Sequence, residues 1–60
     1  MISRLVARND GTDEDPSWTL EGDGAYLTDN PSLDGIWDWV KAYQAEHPNE
    51  IEKLTIYFTN

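Results

Sequence analysis

The sequence has no cysteine, one histidine, and only four basic residues among 60. Without cysteine, no disulfide can staple the fold, a Cys/His zinc site is excluded, and cysteine usage says nothing about redox compartment. Long apolar runs are also missing: none approaches the roughly 20 residues of a membrane-spanning helix. The chain opens at Met1 with no charged-then-apolar leader. A full-length cytoplasmic protein is the expectation. The scarcity of Lys and Arg is uneven. Between Arg8 and Lys41 there is neither, yet Asp10, Asp13, Glu14, Asp15, Glu21, Asp23, Asp29, Asp34 and Asp38 all lie in that span. The rest of the chain sets Glu46, Glu50 and Glu52 against all four bases, so the net charge of −8 belongs to the middle. Neutralising phosphates takes a basic surface, so direct nucleic-acid binding is disfavoured. Anionic membranes are disfavoured for the same reason.

What is present argues for a folded domain. Trp18, Trp37, Trp39, Tyr26, Tyr43, Tyr57 and Phe58 join a set of Ile, Leu and Val. A disordered acidic tail lacks such residues. Residues 1–60 suffice for one small domain, which buries only about 60% of the surface its unfolded chain exposes. Apolar packing must supply the stability, helped or not by a second copy, so monomer and homodimer both stay open.

Ile2–Arg8 reads as a strand, followed by the loop "NDGTDEDPS", dense in turn-forming residues. Trp18–Leu20 is a short strand, and Asp23-Gly24 in "EGDG" suits a tight hairpin turn returning through Ala25–Thr28. A helix follows. Asn30 or Ser32 can cap it, Pro31 fits the first position if Asn30 is the cap, and Asp34 suits the positive end of its dipole. Leu33, Ile36, Trp37, Val40 and Tyr43 or Gln44 form its apolar stripe, with Trp37 expected in the core. Gly35, a poor helix former by about 1 kcal/mol against alanine, marks the first turn or a close approach of another backbone. Pro48 and Asn49 end the helix. Ile51–Thr59 is the last strand, with Leu54, Ile56 and Phe58 on one face and Lys53, Thr55 and Tyr57 on the other. The order β-β-β-α-β predicts an α+β fold, a two-layer sandwich of one helix on one face of an antiparallel or mixed sheet of three to four strands. The last strand can lie parallel to the first.

Specific chemistries fail on spacing. A helix–loop–helix calcium site needs alternating oxygens, glycine at the sixth position and glutamate at the twelfth. Windows starting at Asn9, Asp10 or Asp13 lack that glycine. Paired carboxylates act as acid and base only where their environments push their pKa values apart. These acids fall in loops and on an outer helix face, while Ser3, Ser17 and Ser32 have no evident base. His47 reads as a helix-end residue. No catalytic residue, metal ligand or cofactor is expected, and no enzyme.

The acids themselves carry the functional reading. Asp34 and Asp38 are one helical turn apart, and Asp13 and Asp15 stand about 6.6 Å apart if extended. Both spacings are close to that of neighbouring phosphates along a nucleic-acid strand, roughly twice the 3.4 Å axial step. A one-signed field costs stability through self-repulsion, which a function can offset. No motif identifies a family. The profile of small size, no cysteine and segregated acids resembles, as a class, phage-encoded inhibitors that mimic DNA, including anti-CRISPR and anti-restriction proteins. That resemblance implies a basic DNA-binding protein or nucleoprotein effector as partner. Asp10, Asp13, Glu14, Asp15, Glu21, Asp23, Asp29, Asp34 and Asp38 would form the contact, with Trp39 or Tyr43 as an apolar anchor. Two alternatives compete. One is a small adaptor or dimerisation module that uses Trp39, Tyr43 and a sheet edge or the Thr55/Tyr57 face. The other is a salt-adapted domain of a halophile, which predicts acids spread over the whole surface.

Overall fold

A computed structural model describes residues 1–59. Strands β1 (Leu5–Asn9), β2 (Trp18–Gly22) and β3 (Ala25–Asn30) precede helix α1 (Leu33–Glu46) and strand β4 (Ile56–Thr59). They form one four-stranded mixed sheet in the order β3-β2-β1-β4, with β4 parallel to β1 and the other pairs antiparallel. This is the expected α+β arrangement of one helix and one small sheet. Strand limits differ from the sequence reading. Ile2 and Ile51 are not in continuous strands but meet in an isolated parallel bridge. The last strand is shorter than expected at its start, and β3 continues two residues beyond Thr28.

The β2–β3 turn forms because Asp23 and Gly24 both take positive φ, 51° and 87°. That backbone matches the twist of a two-residue hairpin. In β3 the pairing passes over Leu27, so Tyr26 faces Glu21 and Thr28 faces Leu20. Such a bulge re-aims a side chain, and Leu27 packs against the core. Ser32 caps α1: its Oγ accepts from the Asp34 amide at 3.2 Å. Pro31 therefore precedes the cap rather than following it. Asn30 Oδ1 accepts from the Ser32 amide at 2.9 Å. A Cβ on Gly35 would overlap the Asn30 side chain, so the close approach at that glycine is by a side chain and not by backbone. The helix ends at His47, whose amide donates to the Tyr43 carbonyl.

Leu5, Ala7, Leu20, Ile36, Val40 and Ile51 form the buried core, with Ile2, Trp18, Leu27, Trp39, Tyr43 and Ile56 packed around it. The helix lies chiefly over β3 and β2, which leaves the β4 flank of the same sheet face thinly covered. This offset corrects the expected stripe. Ile36 and Val40 point into the core, and Trp39 and Tyr43 pack against it. Trp37, expected in the core, stands 41% exposed on the β4 side. Leu54 and Phe58, expected to point inward with Ile56, are also largely exposed.

Candidate partner-binding surface

The strand directions gather the acids. β1 ends, β2 begins, β3 ends and α1 begins at the same end of the sheet, as the pairing of Asn9 with Trp18 and Trp18 with Asn30 requires. Asp10, Asp13, Glu14 and Asp15 lie in the loop there, Asp29 at the end of β3, and Asp34 in the first helical turn. The loop is built rather than loose. Asn9 Oδ1 accepts from the amides of Gly11 and Ser17, and Thr12 Oγ1 accepts from that of Asp15. A Cβ on Gly11 would sit 2.9 Å from the Ser17 nitrogen and closer still to the Asp15 carbonyl, so this loop path needs glycine. The backbone folds on itself and turns the carboxylates of Asp13, Glu14 and Asp15 to solvent.

Arg8 is the cation of this end, and it is already engaged. Its Nε donates to Asp10 at 3.1 Å, and its guanidinium reaches Glu21 at 3.4 Å. Thr19 also donates to Asp10, at 3.0 Å. Asp10 and Glu21 are thus partly neutralised on the sheet face away from the helix. Tyr26 donates to Asp29 at 2.7 Å on that face. The bond raises the Tyr26 pKa above its ordinary 10.0, because ionisation would set phenolate against carboxylate; desolvation and the Asp29 charge add to it. Among the described residues, Asp13, Glu14, Asp15, Asp29 and Asp34 have no ion-pair partner.

Two expected contact residues lie elsewhere. Asp23 sits at the opposite end, and its carboxylate accepts from the amides of Ser3 (3.0 Å) and Arg4 (2.9 Å). Its amide in turn donates to the Arg4 carbonyl. It ties the hairpin turn to the segment before β1. Asp38 lies farther along the helix, 3.6 Å from Lys41. The candidate anchors Trp39 and Tyr43 are both half-buried. Trp39 and Tyr43 stack at 5.0 Å and 18° and pack on the core, and Tyr43 lies 4.7 Å from the His47 ring.

Two surface features carry other chemistry. At the end opposite the acids, Ser3, Arg4, Lys53, Thr55 and Tyr57 line a shallow pocket of about 280 Å³, with the Arg4 guanidinium 4.8 Å over the Tyr57 ring. β1 separates the two ends by about 16 Å at the rise of a strand, roughly twice the Debye length at physiological salt. These cations therefore do little to neutralise the acids. Between α1 and β4, Leu33, Asp34, Trp37, Leu54, Thr55, Ile56 and Phe58 line an apolar groove of about 350 Å³. Phe58 meets the edge of Trp18 at 6.1 Å. The sequence did hold a signal for this groove. Leu33/Trp37 and Trp39/Tyr43 are two apolar pairs lying about 60° to either side of Ile36/Val40, at 100° per residue. A narrow sheet covers one flank and leaves the other bare.

Among the described residues no three His, Asp or Glu side chains converge as metal ligands, and no helix is long and apolar enough to cross a membrane. Comparison with known proteins finds no matching family model, no matching curated protein and no matching solved structure.

Proposed function

We propose that this protein is a small acidic inhibitor that presents DNA-like negative charge to the basic nucleic-acid-binding site of another protein, such as a restriction or CRISPR effector. The observation that carries the reading is the convergence of Asp13, Glu14, Asp15, Asp29 and Asp34 at one end of the sheet without cation partners. Folding gains nothing from placing like charges together, since their mutual repulsion opposes the compact state. A partner lined with Lys and Arg offsets that repulsion on binding. The mechanism is competitive: the acidic end occupies a channel that DNA phosphates would otherwise fill. Long-range attraction speeds association and makes it salt-sensitive.

The test is an affinity pull-down from nuclease-treated lysate at low and moderate salt. The control bait carries Asp13→Asn, Glu14→Gln and Asp15→Asn. Mimicry expects DNA-binding proteins to be retained by the native bait and lost from the control. Retention of the same proteins by both baits would remove the acidic loop from the contact. The apolar groove favours a second reading, an adaptor module, which would keep its partner on the neutralised bait and lose it on Trp37→Ala. A salt-adapted domain would instead unfold at low salt, visible by circular dichroism.

A further inference from the structure

We infer that the groove between α1 and β4 docks a cationic amphipathic segment of the partner protein: an apolar side chain seated on Trp37, Leu54 and Phe58, flanked by Lys or Arg reaching Asp34. The inference rests on the reading of the acidic end as a partner-facing surface and adds what charge alone cannot give, a means of telling one basic protein from another. Leu33, Trp37, Leu54 and Phe58 are 38%, 41%, 42% and 60% exposed and adjoin one another. Clustered apolar exposure of this kind marks interaction surfaces, whereas singly scattered residues do not. The groove volume, about 350 Å³, accommodates one or two large side chains.

Charge selects the occupant. Asp34 forms part of the groove wall, at the helix end that faces the acidic loop. Any surface that covers the groove takes water from Asp34, and a carboxylate desolvated without a cation is costly. A second copy of this chain, itself of net charge −8, would bring another Asp34 and Asp38 toward the first pair. A neutral apolar segment would leave Asp34 unpaired. A segment with a basic residue beside its apolar one meets both demands, in the manner of an amphipathic helix laid into a groove.

The probe is a synthetic Leu/Lys peptide with leucines at helical spacing, compared with an isomer of the same composition whose leucines have no helical period. Binding is followed by calorimetry and tryptophan emission, with sedimentation of the free protein alongside. The expected result is saturable binding of the amphipathic peptide with a blue-shifted emission. Trp37→Ala should weaken it by about tenfold or more, as loss of an apolar anchor does, and should remove the shift. Asp34→Asn should weaken it less. Leu33→Ala, on an exposed position, provides a second variant if Trp37→Ala disturbs the fold. Equal binding of both peptides, or unchanged affinity in both Trp37→Ala and Leu33→Ala, would overturn the inference. So would a dimer of the free protein that Trp37→Ala dissociates. Failure of the parent reading looks different: the neutralised loop would still capture DNA-binding proteins, whatever the peptide does.

Discussion

Asp23 shows how one acid can be taken out of a functional patch by backbone geometry. Its φ of 51° is unusual for a residue with a side chain, and Asp and Asn tolerate that region best apart from glycine. In return its carboxylate binds two amides of the segment before β1. Asp23→Ala should therefore lose about 1–2 kcal/mol of stability, measured by urea unfolding, while Asp23→Asn keeps part of it. The pair Tyr26–Asp29 gives a prediction in pH. Folding raises the Tyr26 pKa, chiefly through the bond to Asp29, so the folded state holds this proton more tightly than the unfolded chain. The contribution is fully present below pH 10, the unfolded value, and is lost as pH rises through the folded one. Absorbance titration should show a tyrosine component ionising above pH 10, and Tyr26→Phe should remove that component. Neither role was legible beforehand. A string of letters shows that Asp23 is acidic and turn-compatible, but not that residues 3 and 4 will lie against it.

At the scale of elements, α1 is where local rules and tertiary packing met. Its cap, stop and central pair Ile36/Val40 follow from the spacing and chemistry of neighbouring residues, and the hairpin turn follows from Asp23-Gly24. The flank that the sheet would cover did not follow, because the helix offset toward β3 depends on how four strands assemble. Local spacing therefore places Trp37 in the core, whereas the assembled sheet leaves it lining a groove with Leu54 and Phe58. Ile51 is buried although strand alternation sets it on the side of Lys53, Thr55 and Tyr57, because it is held by a single bridge to Ile2 rather than by a continuous strand. The sequence marks the loop acids, Asp29 and Asp34 as candidate contacts, yet only the strand order shows that they meet at one end of the sheet. Gly35 tests the helix start directly. Gly→Ala within a helix ordinarily gains about 1 kcal/mol, but here the new methyl would displace Asn30 from its bond to the Ser32 amide. Gly35→Ala should show no gain in thermal stability in the native background. In an Asn30→Ala background the gain should return.

For the molecule as a whole, segregation of charge is the organising feature. Among the described residues the acidic end is ion-paired only through Arg8, the remaining cations lie away from it, and the core is small. Self-repulsion at that end should make stability rise with added salt, since screening acts on exposed like charges. Asp13→Asn, Glu14→Gln and Asp15→Asn together should raise the unfolding midpoint at low salt and flatten its salt dependence. That outcome establishes the repulsion but not its purpose. The purpose is tested most directly by competition for a partner captured in the pull-down. With labelled duplex DNA bound to that partner, the native protein should release the DNA as it is added, and the triply neutralised protein should release far less at equal concentration. A stable complex of partner, DNA and this protein together would contradict mimicry, because the acidic end and the phosphates would then occupy different places.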